Sequence, residues 1–535
     1  MIALGHLRGL GAGGSLVPAA ALDLDFLSGQ IDPRLTYARA SLASRIDGAG
    51  RLSISPHNLC VHSEQFELSW MRENISAFGS GSSANAATAP DGSSAADLID
   101  DGASSGRHII YQAQSVPGDG TYAGSIFVKD FGRRFVQFLV TSQGYTCGGF
   151  IIVDLQTGAL TQTKAFASGA PVVSSAIEGV GGGWFRISLC FKVLSGVSFL
   201  FFIVAASDRP SDASGAMLHG SPSYAGVGMK LAVWGGQLEL IGDETSVRPY
   251  VRANAVPFYG PRLDHAPATG APRGLLVEEA RTNLILRSQK PLSQSIPVVA
   301  QPHTLSFYGA GTITLSGAVV ASVPGLGAYP ARRIFTFTPN AGTLALSISG
   351  EVHFVQCELG GFATSWIPTW SVPGARAADD VRLNQSSLAS WLNAAAGSFL
   401  VEASRFSVVH RGDVLNLRNS ANAALADVSI TGGASGALDV SMRTTAGVFA
   451  PTFPSAFASG GAVRTAVAYG AGEGGVSVNG AAVVSSAGVL SLLQADAMTI
   501  GSNAGAARHY LNGHVRRIRH YPGRLSNSVL RKISV

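Results

Sequence analysis

Two adjacent carboxylates, Glu278 and Glu279, sit in the stretch GAPRGLLVEEARTNLILRSQ from Gly270 to Gln289, between an apolar triplet and Arg281-Thr282-Asn283. Paired acids are the machinery of glycoside hydrolysis, where one protonates the leaving oxygen and the other acts as nucleophile or base across the same bond. Consecutive residues cannot share that task, because on a strand they point to opposite faces and on a helix they diverge by about 100°. Hydrolysis would need a second acid from elsewhere in the fold, held about 5–9.5 Å away, and the sequence marks no such partner. The pair therefore reads as architecture, with Glu278 or Glu279 bonded to Arg281 or Arg273, or accepting backbone N–H groups, to fix a joint. Glu239 and Glu358 stand at equivalent places in QLEL and QCEL and read in the same way. Their functional alternative is a sugar-hydroxyl acceptor in a shallow groove.

Binding chemistry concentrates in SNAGAARHYLNGHVRRIRHYPGR, from Ser502 to Arg524. Asn503, Arg508, His509, Tyr510, Asn512 and Arg516 are the candidate glycan contacts, and with His514, Arg517, Arg519 and His520 they would form a basic surface for acidic polysaccharide or lipopolysaccharide phosphate. The competing reading is a solvated strand pair whose charges bond to nearby Asp or Glu. His509, His514 and His520 lack carboxylates at ligand spacing, so no metal is expected. Cys60, Cys147, Cys190 and Cys357 lie far apart with no C-x-x-C, which predicts buried thiols rather than zinc or a disulfide framework. No G-x-S-x-G, P-loop or dinucleotide fingerprint occurs in a strand-to-helix setting, so no cofactor is expected either. Trp184, with Trp70, Trp234 and Trp366, lies in or beside strand patterns and reads as core, leaving loop-borne rings as the ones suited to stack on sugar.

A chain of 535 residues should hold three or four units at about 150 residues per domain. Only 13% of residues are charged while Gly counts 65, and the mean hydropathy is positive. That balance suits rigid, β-rich proteins. The net charge of +5 is dispersed without a Lys/Arg run, which argues against nucleic acid as partner. Arg8 and several glycines interrupt what would be a signal peptide's apolar region. The longest apolar run, Val197 to Ala206, is about half of what a membrane span needs, so a soluble chain without membrane insertion is expected.

The elements that must position these groups are short runs of Val, Ile, Phe and Thr between Gly, Ser, Asn and Pro clusters, which predict an all-β chain of sandwiches. Helical patterning is confined to the segment beginning at Ser386 and to LSNSVLRKIS, where Ser526 can cap. The chain also repeats itself. Asn58-Leu59 with Ser63 is matched by Asn283-Leu284 with Ser288, and Gln237-Leu238-Glu239-Leu240 followed by Thr245-Ser246 and Pro249 is matched by Gln356-Cys357-Glu358-Leu359 followed by Thr364-Ser365 and Pro368. Both spacings align without a gap. This predicts an N-terminal attachment segment and connector over 1–55, a first sandwich over 56–255, a connector over 256–280, a second, shorter sandwich over 281–375 and a third over 376–535. In each repeated module the opening and closing strands are expected to pair, removing an exposed edge. Asn479-Gly480 and Asn512-Gly513 predict hairpins in the third unit.

Together, TYARAS…RIDGAGRL, PRLDHAPATGAPRGLLVEEARTNL, the two Q-x-E-L…T-S-x-x-P closings, GWFRIS and the final FLVEA…LNGHVRRIRHYPGRLS resemble the tail and head fibres of tailed bacteriophages and the spikes of phage-like gene transfer particles. The resemblance touches most of the chain from Tyr37 onward and makes Glu239, Glu278, Glu279, Arg281, Asn283 and Glu358 hallmark positions. It implies carbohydrate-binding jelly rolls followed by a concanavalin/laminin-G-type sandwich, in a homotrimeric, non-enzymatic virion fibre or spike. Such a fibre is assembled in the host cytoplasm, held to other virion proteins through its N-terminal region, displayed on the particle exterior, and binds a bacterial surface polysaccharide during adsorption. Two alternatives stand beside it: a depolymerase of capsule or lipopolysaccharide, and a purely structural decoration or connector.

Overall fold

The computed structural model describes residues 17–75, 84–211, 221–419, 426–444, 447–470, 472–487, 495–503 and 509–535. Among these, helix is confined to Phe66–Ser69, Gln385–Ala389 and Asn527–Ile533, short 3-10 turns aside, and antiparallel strands build the rest of the framework. The chain is all-β, a tandem of β-sandwiches. Ser526 caps the last helix through Val529 N, whereas the middle helix starts one residue earlier than its pattern suggests, because Asn384 accepts from Ser387 N.

The first sandwich faces a five-stranded sheet against a six-stranded one. Gly120–Phe131 is central to one, pairing with Trp184–Val193 and Lys230–Leu240, and Phe135–Ser142 is central to the other. Alternation along the strands sends Tyr122, Ile126 and Val128 inward onto Val136, Phe138 and Val140, all fully buried. Each such side chain contributes about 1.5–3 kcal/mol by leaving water. Gly124 has no substitute between them, since a Cβ there would stand 2.8 Å from Val140. The second sandwich is the same idea with fewer strands, four against three, closed over Leu305, Phe307, Ile313, Leu315, Leu344 and Val355.

The third sandwich stacks two eight-stranded sheets. Its strand Gly513–Tyr521 pairs along one side with Gly397–Arg405, and its other side is shared by two segments from far upstream: Leu22–Asp25 covers Arg517 to His520, and Pro272–Val277 covers Gly513 to Val515. Thr36–Ala38 likewise adds to the opposite sheet through Asp380–Leu383. The stretches 17–55 and 256–280, expected as attachment segment and connectors, thus supply strands that complete the last sandwich. An apolar strand edge left bare would template pairing with other chains, which is the physical reason for covering it.

Asn479-Gly480 does turn between Glu473–Val478 and Val484–Ala487, with φ of +50° and +75° and a bond from Ala481 N to Val478 O. Asn512-Gly513 makes no hairpin. The strand before it, Ala497–Ile500, belongs to the opposite sheet, so the chain crosses between sheets there.

The repeat is a shared polar lock. Asn58 donates to Gly236 O and Val251 O and accepts from Cys60 N and Leu238 N; Asn283 donates to Val355 O and Ile367 O and accepts from Ile285 N and Cys357 N. Ser63 accepts from Ala253 N as Ser288 accepts from Thr369 N. Glu239 accepts Arg248 N, nine residues on, and Glu358 accepts Thr364 N, six residues on. The closing loop of the second copy is therefore three residues shorter, and the gapless match of the T-S-x-x-P turns is corrected: Thr364 corresponds to Arg248, not to Thr245. The opening segments pair with strands just beyond the closing turns, His57–Asn58 with Phe258–Tyr259 and Arg281–Asn283 with Gly374–Arg376.

Candidate functional site

Glu278 is entirely buried at the joint where the connector strands meet the second and third sandwiches. Its carboxylate reaches Arg262 at 2.5 Å and Arg376 at 3.0 Å and accepts from Ser365 N and Oγ at 2.7 and 2.6 Å. Arg262 continues to Asp379, which also holds Arg39 at 2.9 Å and Tyr37 Oη at 2.5 Å and accepts from Glu278 N. Burial works to raise the Glu278 carboxyl, but Arg376, Arg262 and Ser365 outweigh it and hold it at about 2. Burial is likewise overcome at Asp379 by Arg262 and Arg39, which keep it below the ordinary carboxylate range. Both oxygens of Glu278 are thus committed to arginine and Ser365 donors. Glu279 faces outward, bonds Arg281 at 2.5 Å, and takes its backbone N–H to the Asn512 carbonyl.

Glu239 and Glu358 are fully buried and their carboxyls are raised by burial. They hold the closing loops and do not line a groove. All four cysteines are buried and unbridged, with burial pushing the Cys357 thiol up to about 12. Trp184, Trp70, Trp234 and Trp366 are all less than a tenth exposed.

The basic C-terminal stretch does not assemble into one surface. Asn512 is fully buried, with its amide bonded to Glu279 N and His410. Asn503 caps His509 N, His509 stands 3.7 Å from Asp413, and Tyr510 packs on the third core. Arg516 pairs with Glu402, Arg517 with Asp25 and Arg519 with Asp23, while His514 is buried on Asp264 and His520 on Tyr469. Arg508 lies outside the described residues. Alternation along Gly513–Tyr521 explains this: one face feeds the core, and the other meets the acids of the strands laid against it. Among the described residues no group of three His, Cys, Asp or Glu could hold a metal, and no helix is long and apolar enough to cross a membrane.

Two clefts open instead on either side of Trp366, which lines both. The first, about 390 Å³, lies between the first sandwich, the hairpin of Ser44–Ile46 with Leu52–Ile54, and the second sandwich. Its walls carry the half-buried rings of Tyr329, Phe354 and Trp370. Trp370 Nε1 donates to Asp119 O at 2.7 Å and Tyr329 Oη to Gly50 O at 2.5 Å, so both rings are held by the neighbouring unit. Phe354 owes its direction to a φ of +52° at an irregularity in the strand ladder, and it meets Trp366 edge-on at 5.0 Å. Four acids line this cleft. Asp47 is tied to Arg51 and Glu244 to Arg248, whereas the Asp119 and Asp243 carboxylates have no hydrogen-bond or ion-pair partner among the described residues. Lys192 reaches over Thr121 at 2.8 Å.

The second cleft, about 540 Å³, lies between the same hairpin, Pro272–Val277, the second sandwich and loops of the third. Arg45, Arg273 and Arg332 line it with Tyr308, Phe362 and Phe406. Sequence patterning missed both clefts because each takes its walls from three or more units distant in the chain. The signal that existed was Trp370 itself, a ring in the loop beyond the closing strand His353–Leu359.

No family model matches the chain, and no curated protein matches it. Among solved structures it is similar to a carbohydrate-binding module of a Ruminococcus gnavus sialidase bound to α2,6 sialyllactose, at 13% identity over 28% of this chain and 88% of that one, with a TM-score of 0.25. A sialidase from Streptococcus pneumoniae follows at 18% identity over 28% and 26%, TM-score 0.25, and sheep galectin-11 at 10% over 24% and 90%, TM-score 0.18.

Proposed function

We propose that this chain is a structural, non-enzymatic fibre or spike of a tailed phage or phage-like particle, and that it holds a host surface glycan in the first cleft. The motifs that resemble phage fibres supply the setting. The observation that carries the binding reading is the cleft itself: three anchored rings beside two unpartnered carboxylates, within the about 300–1,000 Å³ range of small-ligand sites. Rings offer apolar faces to sugar C–H groups, and free carboxylates accept from hydroxyls. The homotrimer and attachment through the N-terminal region belong to the same proposal.

Arrayed capsular and lipopolysaccharide glycans, probed with the purified full chain, test it. Asp243→Asn and Lys192→Ala, both on the rim, should each weaken the recognised glycan at least about fivefold. Absence of any glycan binding, with stable attachment to particles, would leave the connector reading. The four acids of this cleft also motivate the depolymerase reading, and release of new reducing ends in the same incubation would establish it in place of simple binding.

A further inference from the structure

Many arginines in this protein are matched to acids: Arg34, Arg51, Arg107, Arg133, Arg134, Arg248, Arg252, Arg464 and Arg524 all lie within 4 Å of a carboxylate. Others, such as Arg186 and Arg405, spend their donors on hydroxyl or backbone oxygens. The second cleft gathers three without an ion pair around one open volume. Arg45, Arg273 and Arg332 line it, and none of the three has an ion pair among the described residues. Arg45 donates to Leu263 O at 3.1 Å and Arg332 to Ser306 Oγ at 2.7 Å, both neutral acceptors. The Nε atoms of both are buried without any partner.

Asp264 supplies the carboxylate of this cleft, and it is spoken for: one oxygen accepts Ile46 N at 2.7 Å and the other faces His514 Nε2 at 2.8 Å. Burial also works against the charged form of Arg45, with Arg248 adding to it and Asp47, Asp264 and Glu244 opposing it only in part. A guanidinium without an ion pair beside a partly desolvated cavity is a ready partner for an entering anion. Their planar forks match carboxylate and phosphate oxygens in pairs. Beside them stand Tyr308, Phe406 and Trp366, with hydroxyls from Thr336 and Ser407, so the cavity offers an apolar wall and polar points as well as charge. Its volume of about 540 Å³ is ample for a single sugar ring.

We infer that the second cleft is a binding site for an anionic sugar unit, one bearing a carboxylate or a phosphate, with Arg45, Arg273 and Arg332 on the anion and the aromatic wall on the ring. The site shares Leu52 and Trp366 with the first cleft but opens on their other side, and it stands whether or not the fibre reading does.

Calorimetric titration of the full chain with glucuronate, glucose 6-phosphate, inorganic phosphate and glucose tests it at low salt. The expected result is binding of one or both charged sugars and none of glucose, with Arg273→Gln and Arg332→Gln each weakening the interaction about tenfold or more. Arg273→Lys, which keeps the charge without the fork, should lose less than Arg273→Gln. Arg72→Gln, exposed and outside both clefts, should leave the affinity unchanged. Arg273 is exposed and has no bond to lose, so its variants report even where Arg332→Gln disturbs the fold. Equal affinity for glucose, unaltered affinity in the Arg273 variants, or no charged sugar bound at millimolar concentration would each overturn the inference. Inorganic phosphate binding as tightly as glucose 6-phosphate would mean an adventitious ion only.

Discussion

Arg39, Arg262 and Arg376 stand in the joint between the sandwiches, and Arg45, Arg273 and Arg332 line the cleft that opens beside it; Ser365 serves both, bonding Glu278 and lining the cleft. The first set is completely buried on Glu278 and Asp379. The second set has no ion pair among the described residues and meets backbone and hydroxyl oxygens and, for Arg332, the Tyr308 ring. The same side chain is thus used in two ways. Where opposite charges balance and all bonds are made, the guanidinium specifies geometry, and removing one partner leaves a buried charge unmatched. Where charge is in excess beside open volume, stability is not what the residue supplies.

The largest effect that this comparison predicts is therefore at Glu278. Glu278→Gln should destabilise the protein by about 3–5 kcal/mol, because Arg262 and Arg376 lose the charge that holds them in a dry site. Chemical denaturation followed by tryptophan fluorescence measures this. A loss below about 1 kcal/mol would mean that the joint is not a buried ion network. Glu279→Gln, partly exposed and bonded to Arg281, should cost about 0–1 kcal/mol in the same experiment.

Next in size are the polar locks of the repeat. Asn58→Ala and Asn283→Ala each strip four bonds from buried backbone groups and should each cost at least about 1–3 kcal/mol. Equivalence of the two costs would sharpen the repeat. A neutral outcome at one of them would mean that the second copy no longer depends on its lock.

Acid separates the groups by sign. Burial lowers His57 to about 3, its ring held neutral between Ser55 O and Leu240 N, so the unfolded chain takes up protons below about pH 6.5 that the folded one refuses. Stability should begin to fall there. Glu278, held at about 2, adds a second loss as pH falls from about 4.5 toward 2. Glu239 and Glu358 act oppositely: burial raises them, so the folded state takes their protons first and gains stability as pH falls. Glu239→Gln and Glu358→Gln should accordingly make the acid limb of a stability-against-pH curve steeper, whereas Glu278→Gln should flatten it below pH 4.5.

Period-two runs and turn residues made the all-β class legible, and the Asn, Gln and Glu of the repeat marked the lock, because local pattern and local bonding determine both. The Thr364 register escaped because three residues dropped from a loop leave no trace when Thr-Ser and Pro happen to recur at matching distances. The joint was half legible: the acidity of Glu278 was visible, but its partners Arg262, Arg376 and Ser365 come from segments up to 98 residues away, and only the fold brings them in. The basic C-terminal stretch misled because alternation hides half of a strand and because Asp23 and Asp25, which neutralise Arg519 and Arg517, lie at the other end of the chain. Cleft arginines carry no sequence mark at all, since lacking a partner is a property of the fold.

The smallest effect is expected where the comparison is most exposed to failure. Arg273→Gln should change stability by no more than about 0.5 kcal/mol, because the side chain is exposed and makes no hydrogen bond or ion pair among the described residues. Arg332→Gln should cost somewhat more, about 0.5–1.5 kcal/mol, since it gives up one bond to Ser306 and the contact of its guanidinium with the Tyr308 ring at 6.0 Å. Salt distinguishes the two sets as well. Dissolved anions reach charges that face water, so added salt should stabilise the parent chain by pairing with the cleft arginines and should do so less in Arg332→Gln. The joint, closed to ions, should respond to salt in neither. Equal salt dependence in the parent and in Arg332→Gln would mean that the cleft arginines are balanced after all, and the division between the two sets would lose its physical basis.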